Sequence, residues 1–264
     1  MKPVAFRYER PETIDEAVAL LAEHGDDAKV LAGGQSLVPA LNMRLLRPTV
    51  VIDINHVFEL DNVASKDGAV GVGAMVRQAD RRLLDHPLLA DAVPHIGHFV
   101  TRNRGTVCGS IAHADPAAEL PVCLTVLGGS IRAMSARGER EIAAADFFLS
   151  HFTTSLEPDE LVVEVVWPQP RAGYGHAFEE FAQRRGDFGL AMAGAAVGDG
   201  KLRVALGSVV ERPTIVEVDP DEPGKSAAAQ IETWGDLHAS PAYLKQLVRV
   251  LVDRAVARAT ERAA

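Results

Sequence analysis

Residues 31–47 read LAGGQSLVPALNMRLLR, an apolar run that halts at two adjacent glycines and resumes with helical spacing. A strand ending in Gly33-Gly34 must turn into a helix with no side chain between its backbone and whatever lies opposite, which restricts the fold sharply. Such a turn aims N–H groups and the positive end of a helix dipole at one point, an arrangement suited to phosphate, with Ser36 placed to cap the helix. It is equally a tight strand-to-helix turn that binds nothing, and these residues alone leave both readings open. The pattern is neither GxGxxG nor GxxxxGK followed by Ser or Thr, so neither nucleotide fingerprint is present.

The flanking residues extend this turn into an α/β unit. Thr13 and Glu16 form a T-x-x-E capping box for a helix reaching about His24, closed by Gly25, with Ile14, Ala17, Val18, Leu21 and Ala22 on one face. A strand through Val30 enters the glycine turn, and TVVIDI at 49–54 reads as a second strand, ended by Asp53. A polar stretch, 56–66, follows. The next unit opens with a strand at 69–73 and helices over 78–84 and 88–93, punctuated by Pro87 and Pro94. Strands at 130–136 and 161–167 complete it, and Pro168, Pro170 and Gly173 mark its end. The last third alternates at 175–182, 190–197 and 202–209, with Asp199-Gly200 as a hairpin signal. Residues 218–225 read as a solvated acidic loop. A helix over 241–263 then carries Leu244, Leu247, Val248, Leu251, Ala255 and Ala259 on one stripe, expected to face a sheet. The boundaries expected are 1–56, 57–170 and 171–264.

Residues 101–121, TRNRGTVCGSIAHADPAAELP, are dense in small and polar side chains yet lead into the apolar stretch 122–127, which predicts a buried loop feeding a helix. Buried irregular backbone needs hydrogen-bond partners, and a polar ligand supplies them. The net charge of −9 argues against nucleic acid or an anionic membrane as the main partner. No apolar run approaches the ~20 residues of a membrane span. The opening MKPVAFRYERPET lacks the apolar core of a signal peptide, so the cytoplasm is expected. Cys108 and Cys123 are the only thiols, too few for an iron–sulfur cluster, and neither HExxH nor CxxC is present. Redox chemistry would therefore come from a bound organic cofactor, and a metal site has little support.

AGGQSLVP at 32–39 and RNRGTVCGSIAHADPAAELP at 102–121, with DELVVEVVWP at 159–168 and RRGDF at 184–188, resemble the FAD-binding subunit of molybdenum hydroxylases. Carbon monoxide dehydrogenase and xanthine dehydrogenase belong to that family. The resemblance implies an α+β chain: a PCMH or vanillyl-alcohol-oxidase-type FAD-binding domain of two α/β subdomains, then a smaller α+β C-terminal domain of antiparallel sheet plus helices. It implies that Val30, Leu31, Ala32, Gly33, Gly34, Gln35, Ser36 and Leu37 wrap the pyrophosphate of FAD. Thr106, Val107, Gly109 and Ser110 would form a matching second loop, with Ile96 beside the cofactor and Val162 an apolar contact. Glu119 would correspond to an acidic residue contacting FAD; Asp115 and Glu119 take structural or ribityl-binding roles, and His113 is a satisfied loop histidine.

Two departures stand out. Cys108-Gly109 replaces a usual glycine pair, so Cys108 either packs or is reactive. Glu179 or Glu180 stands where some relatives have a lysine. The activity implied is that of an electron-transfer flavoprotein receiving electrons from an iron–sulfur subunit and passing them to an external acceptor. Molybdopterin and 2Fe–2S clusters would reside on partner subunits, in a heterotrimer or a dimer of heterotrimers. A stand-alone flavin reductase or oxidase of the same fold, or a cofactor-free scaffold, is the alternative.

Overall fold

Three sheets of three to five strands, each drawn from a consecutive stretch of sequence, with a small two-stranded one of Phe148–Ser150 and Thr153–Thr154, organise the computed structural model of this chain, which describes residues 1–235 and 237–264. The first is parallel, with Val50–Asp53 between Arg7–Glu9 and Ala28–Leu31. All four residues of the central strand are buried, as an unbroken Val-Val-Ile run requires of a strand covered on both faces. Helix Ile14–His24 packs Ala17, Val18 and Leu21 inward. The Thr13 hydroxyl accepts the Glu16 N–H as expected, but the Glu16 carboxylate accepts from Glu12 N–H, one residue before the position a capping box predicts. Gly25, at φ +48°, ends the helix.

The second sheet is antiparallel, in the order Val63–Lys66, Ala69–Gly73, Leu161–Pro168, Ser130–Ser135, Gly138–Ala143. Its two outer strands escape sequence reasoning because exposed edge strands carry polar residues on both faces. The predicted helix over 78–84 is instead a 3-10 turn, Arg81–Asp85, started late by the Asp80 carboxylate accepting the Arg82 N–H. Helix Pro87–Ala92 begins with its proline at the first position, where the missing N–H costs nothing. The buried loop expected over 101–121 is largely helical: Phe99–Arg102, Val107–His113 and Glu119–Leu127 are helices, joined by short turns.

The third sheet orders Gly175–Ala182, Gly189–Gly198, Lys201–Gly207 and Thr214–Val216 as an antiparallel meander. Asp199 and Gly200 both take positive φ, +51° and +67°, the conformation a two-residue hairpin needs. Helix Pro241–Ala263 lies on this sheet with its predicted stripe buried. Strand alanines 191, 193 and 195 are fully buried beneath it. The loop expected at 218–225 gives way at Pro223 to helix Pro223–Gln230, whose Gly224 N–H donates to Asp253 Oδ1 at 2.8 Å.

Helix Glu119–Leu127 is buried along its whole length, packed against Gly189–Gly198 and Lys201–Gly207 on one side and the second sheet on the other. One apolar core accordingly runs from Ala17 through both N-terminal sheets to Phe178, Met192 and Ala205. No helix among the described residues is long and apolar enough to cross a membrane.

Candidate functional site

The two glycine-bearing stretches, seventy residues apart in sequence, touch. A Cβ built on Gly33 would lie 2.4 Å from the Arg104 carbonyl oxygen and 2.7 Å from Gly105 Cα, so main chain rests on main chain. A set of hydrogen bonds fixes this contact. Asn55 Nδ2 donates to the Ala32 carbonyl at 2.8 Å, and Arg77 Nη2 donates to Asn55 Oδ1 at 2.7 Å, while Arg77 Nη1 donates to the Arg104 carbonyl. Asp53, at the strand end as expected, accepts from Asn55 N–H and from the Tyr8 hydroxyl. Burial pushes its carboxyl upward, but the hydrogen bonds from Tyr8 and Asn55 prevail and hold it below the usual range.

Above this contact opens a cleft with two lobes of about 310 and 300 Å³, sharing Gly33, Gly34, Ser36, Gly109 and His113. Val30, Ala32, Leu37 and Val162 line the first, with Lys29 at its edge. Gln35, Ile96, Thr106, Ser110, Asp115 and Glu119 line the second. Leu31 faces a shallower adjoining hollow that holds Asn55 and Arg104. Val107 alone among the predicted residues turns away: its side chain is in the core and its N–H donates to the Val76 carbonyl.

The first turn keeps donors in reserve. N–H groups of Gly34, Gln35 and Ser36 meet no acceptor among the described residues, and Gly34 holds φ +71°, which presents them without a Cβ penalty. Ser36 precedes helix Leu37–Asn42 but makes no side-chain cap, leaving its hydroxyl to the cleft. Thr106 does cap: its Oγ1 accepts the Gly109 N–H at 3.1 Å, so the second motif is a helix start rather than a loop. Its O–H proton remains available to a ligand.

The structure gives several polar side chains near the cleft definite partners. Arg102 donates to the carbonyls of Ile96 and Gly97 at 2.8 and 2.9 Å, so it positions the Ile96 turn. His113 ends a helix, lies against the Phe152 ring and borders both lobes; burial lowers its pKa. Cys108 packs: its thiol donates to the Val72 carbonyl at 3.3 Å, and burial raises its pKa far from a reactive thiolate. Asp115 accepts the Ala117 N–H, shaping its own turn. Glu179 pairs with Arg258, whereas Glu180 points inward, its carboxylate 2% exposed, one oxygen 3.6 Å from His95 Nδ1 and the other without a partner among the described residues. Glu119 is 7% exposed, and burial, followed by repulsion from Glu180, pushes its carboxyl up to about 8. A neutral acid therefore faces the second lobe at neutral pH.

Sequence reasoning missed three contributors. Asn55 and Arg77 carry no motif that marks them as the bracket between the turns. Gln78 is 6% exposed, borders the second lobe and has an Oε1 without a partner among the described residues. Gly186, Asp187 and Phe188 of RRGDF line the lobe, while Arg184 and Arg185 stay exposed outside its lining. Within RRGDF the sequence points to Arg184 and Arg185, either as neutralisers of phosphate or reduced flavin or as surface ion-pair residues, whereas the residues in the wall are the three that follow them.

Residues 4–170 match the family described as the FAD binding domain in molybdopterin dehydrogenase. The chain is 37% identical to the 6-hydroxypseudooxynicotine dehydrogenase complex subunit alpha of Paenarthrobacter nicotinovorans, covering 100% of this chain and 97% of that protein. It is 42% identical to the caffeine dehydrogenase subunit beta of Pseudomonas sp. strain CBB1, over 81% of this chain and 76% of that one. Carbon monoxide dehydrogenase from Hydrogenophaga pseudoflava contains a chain that superposes with a TM-score of 0.92 at 32% identity, covering 100% of both.

Proposed function

Since the chain belongs to the family of FAD-binding domains of molybdopterin dehydrogenases, we propose that it is the FAD-carrying electron-transfer subunit of a molybdenum hydroxylase complex, taking electrons from an iron–sulfur subunit and delivering them to an external acceptor. The observation that carries this reading is the main-chain contact at Gly33, which brings the turn's open N–H groups and the Thr106 helix start to one cleft.

The residues fit FAD. Gly34, Gln35 and Ser36 supply N–H donors for a diphosphate, and Ser36, Thr106 and Ser110 add hydroxyls. Val30, Ala32, Leu37 and Val162 offer an apolar lobe, while Ile96, Asp115 and Glu119 line the other. Val107 contributes by anchoring the helix start. Gln78 borders the same lobe with its amide oxygen packed against Gly105, so it shapes the wall. FAD, when bound, supplies redox chemistry in steps of one or two electrons. The chain's own residues bind and orient it, and Glu119 holds a proton at its carboxyl inside the lobe.

The working division is 1–56 and 57–170 for the two FAD-binding subdomains and 171–264 for the C-terminal domain. Its support is that the first sheet's strands lie between Arg7 and Asp53, the second's between Val63 and Pro168, and the third's between Gly175 and Val216. The partners are a molybdenum-cofactor subunit and an iron–sulfur subunit, in a heterotrimer or a doubled one. Two buried free thiols accord with work in the reducing cytoplasm. Co-expression with neighbouring coding sequences tests the reading: a yellow protein releasing one FAD per chain and co-purifying with an iron–sulfur chain is expected. A colourless chain that stays alone would overturn it.

A further inference from the structure

We propose that Glu180, one layer behind the second lobe of the FAD cleft, is a positioning residue for the proton on Glu119: its buried carboxylate keeps Glu119 in the acid form, so that Glu119 meets an acceptor oxygen or nitrogen of FAD as an O–H donor. The proposal rests on the flavoprotein reading above and adds the residue that sets how this acid meets the cofactor.

The strand decides where Glu180 goes. Side chains alternate along Gly175–Ala182, so Glu179 turns to helix Pro241–Ala263, where Arg258 holds it, and Glu180 turns the other way. There it is flanked by the two segments that form the lobe's wall. A Cβ on Gly189 would lie 3.0 Å from Glu180 Cγ, and one Glu180 oxygen is 3.6 Å from His95 Nδ1. Gly189 follows Phe188 and His95 precedes Ile96, and both Phe188 and Ile96 line the lobe. Water is shut out: the carboxylate is 2% exposed, and its second oxygen meets no hydrogen-bond partner among the described residues.

Glu119 lines the lobe itself, and apart from its own N–H no group among the described residues hydrogen-bonds its carboxyl. The charges around the two acids are committed elsewhere. Arg102 favours the ionised form of Glu119 but donates to the Ile96 and Gly97 carbonyls, and Asp91 on helix Pro87–Ala92 is held by Arg258 and Arg262. Asp115 adds to the repulsion, Asp187 borders the lobe, and His113 beside it is lowered by burial. One turn along the helix, burial and then Glu119, Asp91 and Glu180 push up the Cys123 thiol. Two carboxyls this dry do not both ionise without a cation between them. Burial first and Glu180 second therefore hold Glu119 up to about 8, and its hydroxyl has only the cleft in which to find an acceptor.

FAD titrated into the flavin-depleted full chain, followed by flavin fluorescence from about pH 6 to about pH 9, should bind with constant affinity up to a break near pH 8 and about tenfold more weakly per unit beyond it. Glu180→Gln removes the charge and keeps the shape, so its break should move down by about one unit. At neutral pH, calorimetry in buffers of different ionisation enthalpy should then show proton uptake on FAD binding in Glu180→Gln and almost none in the wild type. Glu180→Asp keeps the charge and should keep the break. Glu180→Met, also uncharged, serves the same test where the amide variant misfolds. A merely structural Glu180 would change affinity by one factor at every pH. Parallel profiles for the wild type and the uncharged variants, or a wild-type affinity that holds or rises to about pH 9, would overturn the proposal. A chain that binds no FAD at any pH would instead overturn the reading beneath it.

Discussion

Replacing Gly33 with alanine tests the contact on which the site is built. The added Cβ would meet three backbone atoms, the Arg104 carbonyl oxygen at 2.4 Å, Gly105 Cα at 2.7 Å and the Arg104 carbonyl carbon at 3.0 Å. No side chain can swing aside, so the two turns must part by about 1 Å, the gap between 2.4 Å and an ordinary 3.4 Å contact. Overpacking of this kind costs about 1–3 kcal/mol. The same displacement pulls at the Asn55–Arg77 bracket, which holds Ala32 and Arg104 together. If half of that cost appears in the bound state's geometry, FAD affinity falls about two- to tenfold, since about 1.4 kcal/mol is one decade. A matched control is Gly68→Ala, where φ is +76° and a Cβ meets nothing within 4 Å. Strain of the left-handed conformation there costs about 1–2 kcal/mol, far from the cleft. Urea unfolding of the apo chain and FAD titration by flavin fluorescence should show comparable destabilisation in both variants but weakened FAD binding only in Gly33→Ala. Equal FAD affinity in Gly33→Ala and the wild type, or equal loss in both variants, would refute the argument.

Other consequences follow from the same geometry. Arg77→Met strips donors from the Arg104 carbonyl and Asn55 Oδ1 and should cost about 1–3 kcal/mol of unfolding free energy, with FAD binding weakened in the same titration. Glu119 is held up to about 8 against an unfolded value near 4.5, by burial first and then by Glu180 and Asp115, with Arg102 opposing. The folded chain therefore retains a proton that the unfolded chain loses, and stability attributable to this group falls as pH rises from about 4.5 to about 8. Urea midpoints across that range should flatten in Glu119→Gln, and an unchanged slope would count against the buried acid. His176 works in the opposite sense: burial, with His86 and Arg262 nearby, lowers it to about 4, so the unfolded chain binds the extra proton and stability rises with pH between about 4 and 6.5. That rise should be reduced in His176→Gln.

Local chemistry explains what the amino-acid order determined unaided. Thr13 and Gly25 bound a helix, Asp199-Gly200 makes a hairpin, and the stripe from Leu244 to Ala259 faces a sheet, because caps, turns and periodicity act over a few residues. Family resemblance in AGGQSLVP and RNRGTVCGSIAHADPAAELP supplied the cleft's residues, though not the physical reason for them. Tertiary structure alone decided that Gly33 is glycine because another main chain lies against it, and that Asn55 and Arg77 hold the two turns together. It also turned Val107 into the core and made an ordinary helix-opening Glu119 a buried acid, by wedging its helix between two sheets. Spacing along a chain records which residues can share a face; it carries no term for what folds onto that face from seventy residues away, and at this site that contact sets the shape.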